Sequence, residues 1–104
     1  MKVSEEIQAR ADKMAALAEA IKYVEAQELN GQGRRLIHLL LVTYSDLTAA
    51  QCSVISGYSF PEAGRRAANT ARRLTGSDWD MNKIWNEAVK IIHKNHNTDI
   101  YHII

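Results

Sequence analysis

Between Leu36 and Val42 the chain runs Leu-Ile-His-Leu-Leu-Leu-Val, seven residues whose only polar member is His38. In a helix such a run has no wet face, so other elements have to surround it. It is far shorter than the roughly 18 apolar residues a membrane span requires, and no other run is longer. Leucine outnumbers β-branched residues in it, which favours a buried helix over a buried strand. The remaining chain must therefore supply the helices that enclose it. One proline, five glycines and one phenylalanine in 104 residues are too few turn and strand residues for an all-β alternative. The expected fold is all-α: a single domain over 1–104, a small bundle of about five helices around a central buried helix at about 34–45. His38 reads as a core or boundary imidazole with a local partner.

Periodicity places the flanking helices. Ile7, Met14, Leu17, Ile21 and Val24 recur at spacings of three, four and seven, with Ala11 and Ala18 filling the same face. This predicts a long N-terminal helix over about 4–29, N-capped by Ser4 and stopped by a left-handed turn at Asn30-Gly31. At about 1.5 Å per residue it would reach nearly 40 Å, longer than so small a bundle needs. Two placements follow for it: its outer part, with Ile7 and Met14, meets a second subunit, or the whole helix packs within its own bundle. Ser77 and Asp78 are candidate caps for a C-terminal helix over about 78–94, with the apolar stripe Ile84, Trp85, Ala88, Val89 and Ile92 and with Trp79 pinning its entry. The tail closes on Ile100, Tyr101, Ile103 and Ile104, apolar residues that need a surface to dock on.

Charge is unevenly spread. Residues 1–30 hold four basic and six acidic side chains, and residues 77–104 hold three lysines and four acids. The middle, 31–76, holds six arginines against Asp46 and Glu62. All six basic residues there are arginine, whose planar fork suits phosphates and guanine edges better than the point charge of lysine.

Four of those arginines belong to one segment. Leu47 to Ser56 reads as a short helix, Gly57-Tyr58-Ser59 as a tight turn, and Pro61 as the first-turn proline of a second helix running to about Leu74 and stopping at Gly76. Two short helices joined by a glycine turn are a helix-turn-helix arrangement, here over about 46–75. Cys52, Ser53 and Ser56 are small where the first helix must lie close to the second. Gly57 admits a positive φ, and Tyr58 plugs the back of the turn. In the second helix Ala63, Ala67, Ala71 and Leu74 fall on one side. Glu62, Arg65, Arg66, Asn69, Arg72 and Arg73 fall on the other, a surface able to fork onto guanine through Arg and onto adenine through Asn.

The run Gln51-Cys-Ser-Val-Ile-Ser-Gly57-Tyr-Ser, followed by Ala63 and Ala67, resembles the helix-turn-helix of phage terminase small subunits. The likeness spans about 25 residues and depends chiefly on Gly57-Tyr58-Ser59 and its small neighbours. It implies DNA binding by the second helix and, more loosely, ring-like oligomers that recruit a packaging motor. The order differs from that family, in which the DNA-binding helices usually come first; here some 45 residues precede the motif. A small phage-type transcription regulator fits the same segment.

Other chemistries have less behind them. His93, His96, Asp99 and His102 recur every third residue, but the run drifts around a helix, and histidines near a C-terminus also suit the helix dipole. No metal or other cofactor is expected. Cys52 has no activating neighbour in sequence, and the glycines are too scattered to cradle a phosphate, so no enzyme is expected. The single cysteine excludes an intramolecular disulfide framework. Met1-Lys2-Val3 leads into acidic residues, unlike a signal peptide, so a cytoplasmic setting is expected. The reading is a double-stranded DNA-binding protein that forms a homo-oligomer. Arg34, Arg35, Arg72 and Arg73 would sit on phosphates, and Arg65, Arg66 and Asn69 on base edges. The rival is a helical interaction or inhibitor protein whose arginine face meets an acidic partner protein.

Overall fold

The computed structural model describes the backbone of residues 2–29 and 31–103 and the side chains of 4–29 and 31–94. Five helices follow one another: α1 (Lys2–Ala26), α2 (Gly31–Tyr44), α3 (Ala49–Ile55), α4 (Pro61–Ser77) and α5 (Trp79–Ile103). No strand occurs among the described residues. No helix is long and apolar enough to cross a membrane. The molecule measures 42 × 29 × 22 Å along its principal axes. The two 25-residue helices, α1 and α5, pack against each other more extensively than any other pair.

The leucine-rich segment forms the expected central helix. Leu36 and Leu40 of α2 are fully buried in a core shared with Leu17 and Val24 of α1 and Met81, Ala88 and Ile92 of α5. Leu39 faces the other way, into a smaller cluster with Ala68 and Ala71 of α4. One helix thus serves two cores, because apolar residues occur around most of its circumference. Alanine and glycine on α4 let the helices approach closely there.

Several boundaries differ from the sequence expectation. Helix α1 starts at Lys2, which places Ser4 inside the helix instead of at its cap. It ends at Ala26, and the left-handed residue beyond it is Glu28 (φ 52°), while Gly31 already opens α2. Amides of Gln27 and Glu28 bond back to the carbonyls of Val24 and Glu25, so the chain unwinds nearly a turn before the glycine. The buried face of α1 is Ala16, Leu17, Ala20 and Val24. Leu17 and Val24 of the expected stripe belong to this face and Ile21 is half-buried beside it, but Ile7 and Met14 are 64% and 62% exposed, and Ala11 and Ala18 are exposed too. Helix α4 continues through Gly76 to Ser77. Asp78 alone caps α5, its carboxylate accepting from the Met81 amide at 3.0 Å. Trp79 does not pin the entry; it is 75% exposed, with the Lys83 ammonium 5.4 Å from its ring. Helix α5 extends beyond the expected end near Lys94 to Ile103; the docking of the apolar tail side chains lies outside the described residues.

Candidate nucleic-acid interface

The segment with most of the arginines begins with a well-capped short helix. Thr48 and Gln51 form a reciprocal capping box: the Thr48 hydroxyl accepts from the Gln51 amide (3.2 Å), and the Gln51 side chain accepts from the Thr48 amide (2.9 Å). Seven residues cannot hold a helix alone, so this cap and burial of Cys52 and Ser53 fix α3. The helix closes with Ser56, and Gly57 takes φ +83°, a conformation favouring glycine. The Tyr58 amide bonds to the Ser53 carbonyl at 2.8 Å. Phe60, in extended conformation, is the N-cap of α4, and Pro61 is its first residue.

Two residues of α2, one helical turn apart, hold this turn from below. Arg34 donates through Nε to the Ser56 carbonyl (2.8 Å) and through Nη2 to the Gly57 carbonyl, and its guanidinium lies 4.1 Å from the Tyr58 ring centroid. His38 is buried; its Nδ1 pairs with the Ser56 hydroxyl at 2.9 Å, and its ring meets Tyr58 edge-on at 5.1 Å between centroids. Burial holds the His38 pKa below the ordinary imidazole value, and the Arg34 charge adds to this, against hydrogen bonds with the backbone at Cys52 and Gly64. The expected local partner of His38 is thus the turn itself, and Tyr58 does lie behind that turn.

The α3–α4 crossing depends on Gly64, a residue outside the small-residue pattern that marks the motif. A Cβ on Gly64 would overlap the Ser53 hydroxyl and stand 3.0 Å from His38 Nε2. The two helices and α2 meet where α4 has no side chain. A glycine inside an alanine-rich helix is the available clue, since it costs about 1 kcal/mol of helix propensity unless packing demands it.

On α4 the buried residues are Gly64, Ala67, Ala68 and Ala71, with Ala63 and Leu74 half-buried beside them. Arg65, Arg66, Asn69, Arg72 and Arg73 are all exposed, as the periodicity requires. At about 100° per residue, Arg66, Asn69 and Arg73 lie within about 60° at the apex of the face. Arg65 and Arg72 stand on the shoulder towards α2 and α3, where they border a groove of about 410 Å³ floored by His38, Ser53 and Ala68. Arg65 pairs with Glu62. Arg72 donates to the side-chain oxygen Oδ1 of Asn69 at 3.1 Å, and the Asn69 side-chain NH2 remains a donor. The side chains of Arg66 and Arg73 make no hydrogen bond or ion pair among the described residues.

The two arginines of α2 are placed differently. Arg34 is exposed, but its guanidinium is occupied by the turn. Arg35 is half-buried and reaches the Gln32 side chain at 3.4 Å. Neither stands on α4. Cys52 is fully buried, with the Ser45 hydroxyl 3.7 Å away. No three histidine, cysteine or acidic side chains among the described residues converge as a metal site. Of the C-terminal series, His93 is exposed and meets Tyr44 edge-on, while the side chains of His96, Asp99 and His102 lie outside the described residues.

Comparison with protein-family models, with curated proteins and with solved structures finds no match. What the geometry defines is an all-α bundle presenting one arginine-rich helix on a glycine turn.

Proposed function

We propose that this protein binds double-stranded DNA through α4, with α3, the Gly57 turn and α4 acting as a helix-turn-helix. The observation that carries the reading is the exposed face of α4: four arginines and one asparagine, backed by glycine and alanine that pack the helix close to α2 and α3. Such a helix is about 25 Å long, and B-DNA's major groove, about 12 Å wide, admits one. Arg66, Asn69 and Arg73 at the apex are best placed for base edges, and Arg65 and Arg72 on the shoulder for phosphates. This differs from the sequence assignment at Arg65, because Arg65 leans towards the body of the protein, and at Arg73, because Arg73 stands at the apex. Arg34 supports the turn that aims α4. The likeness of Gln51–Ser59 to the terminase motif agrees with this reading and leaves packaging and regulation as the two roles to separate. Self-association through the exposed Ile7 and Met14 stripe would give the oligomer either role uses.

Fluorescence anisotropy with a labelled random duplex tests the proposal. Binding whose log affinity falls with log salt, at a slope of about −0.9 for each phosphate neutralised, supports it. No binding at about 50 mM salt, together with capture of an acidic protein through the same arginines, would favour the partner-protein reading.

A further inference from the structure

Gly64, Ala68 and Arg72 follow one another at intervals of four along α4, so they form one line down the side of the helix towards α2 and α3. Beside that line lies the groove of about 410 Å³ that Arg65 and Arg72 border. Its volume is within the roughly 300–1,000 Å³ of small-molecule sites, and Val42, Ala49, Pro61 and Ala68 give it apolar walls.

The two ends of the groove carry different polar groups. At one end Ser53, only 2% exposed, fills the space that Gly64 leaves by having no side chain. A serine inside a helix can satisfy its hydroxyl on the carbonyl four residues back. The Ser53 hydroxyl makes no such bond, nor any other among the described residues. No fully enclosed polar side-chain atom there lacks a partner, so this hydroxyl opens onto the groove. His38, also on the floor, is already engaged through Nδ1 with Ser56. At the other end, eight residues and about 12 Å along α4 from Gly64, Arg72 bonds to Asn69 through Nη1 alone. Its Nε and Nη2 edge is left to fork onto a carboxylate, the two-point geometry that arginine favours. Arg65 adds little charge, because Glu62 pairs with it.

We propose that this groove binds an elongated organic acid. Arg72 forks its carboxylate, Val42, Pro61 and Ala68 hold its apolar body, and Ser53 pairs with a hydroxyl or carbonyl oxygen at its far end. Two polar contacts with an apolar wall between them require a molecule of that kind; a bare phosphate could reach only one. Binding is measured without DNA, so the site stands or falls separately from the reading of α4 as a DNA-binding helix.

The probes are para-coumarate, which carries both polar groups, cinnamate, which lacks the hydroxyl, and para-coumaramide, which lacks the charge. Each is titrated into the full chain at fixed salt, followed by amide chemical shifts. Coumarate should saturate with a sub-millimolar Kd, with shifts concentrated at the groove. Coumaramide should bind there at least tenfold more weakly, and cinnamate at least threefold. Arg72→Gln should weaken coumarate at least tenfold. Ser53→Ala should reduce coumarate to the affinity of cinnamate, leave cinnamate unchanged and leave Tm no lower, since the hydroxyl has no partner in the fold. No saturable shifts at the groove, equal affinity for the acid and the amide, or unchanged coumarate affinity in either variant would overturn the proposal. A lower Tm in Ser53→Ala would also overturn it, because the hydroxyl would then be bonded inside the protein.

Discussion

Two glycines of α4, twelve residues apart, should respond to alanine with opposite signs. At Gly76 an added Cβ meets nothing within 4 Å, so Gly76→Ala should only remove a helix-interior glycine and stabilise by about 0.5–1 kcal/mol. At Gly64 the same methyl overlaps the Ser53 hydroxyl and stands 3.1 Å from Ser53 Cβ and 3.0 Å from His38 Nε2. Ser53 and His38 are 2% and 1% exposed, so neither can swing into solvent to make room. Overpacking of this kind costs about 1–3 kcal/mol; after a propensity gain of about 1 kcal/mol the net loss should be up to about 2 kcal/mol. For a chain of this size that lowers Tm by up to about 16 °C. Urea unfolding followed by circular dichroism measures both variants. Ser53→Gly in the Gly64→Ala background removes the obstructing atoms and should recover part of the loss as a positive coupling. If Gly64→Ala stabilised as Gly76→Ala does, α3 and α4 would not cross where described, and the turn would have no role in aiming the arginines.

Three further outcomes follow from the same geometry. The folded state holds His38 below its unfolded pKa of about 6.5, so the unfolded chain binds the extra proton on acidification. Stability from this group should be complete above about pH 6.5 and fall below it, by at most about 1.4 kcal/mol per pH unit until the folded pKa is passed. His38→Gln should flatten that part of the urea-midpoint profile, and an unchanged profile would remove His38 from it. Arg34→Ala should lower Tm and weaken DNA binding with little change in salt slope, because Arg34 holds carbonyls of the turn; a slope reduced by about 0.9 would make it a phosphate ligand instead. Ile7→Glu combined with Met14→Glu should leave unfolding stability within about 0.5 kcal/mol, since both are exposed, and should halve or further reduce the mass in sedimentation if the stripe is the seam between subunits. Loss of the fold would place both residues in the core.

The parts of this structure legible in the sequence are those set by periodicity. Leu36–Val42 points to a central helix because no face of it is polar, and the alternation of alanine and arginine on α4 gives its buried and exposed sides almost residue by residue. Gly57 is readable because the turn needs a positive φ. Termination is less legible. Asn30-Gly31 and Gly76 both read as stops, yet after α1 the left-handed position falls on Glu28 instead of a glycine, and α4 runs through Gly76. In α1 the spacing of apolar residues fits two overlapping faces, and only the positions of α2 and α5 decide that Leu17 and Val24 point inward while Ile7 and Met14 stay out. Arg34 reads as a surface charge because its partners are main-chain carbonyls 22 and 23 residues away, which carry no sequence signature. Gly64 depends on a three-helix meeting point, a property of the fold as a whole.

The most direct test of DNA binding through α4 is the affinity of Arg66→Ala with Arg73→Ala for duplex DNA, compared with the unaltered protein over about 50–200 mM salt. Both side chains are exposed and make no hydrogen bond or ion pair among the described residues, so circular dichroism and Tm should not change. If α4 enters the major groove, affinity for the preferred sequence should fall by about 1–3 kcal/mol for each base that is no longer read. The salt slope should drop by about 0.9 for any phosphate that the missing guanidinium groups had neutralised. A double variant that binds every duplex as tightly as the unaltered protein, at every salt concentration, would contradict the assignment.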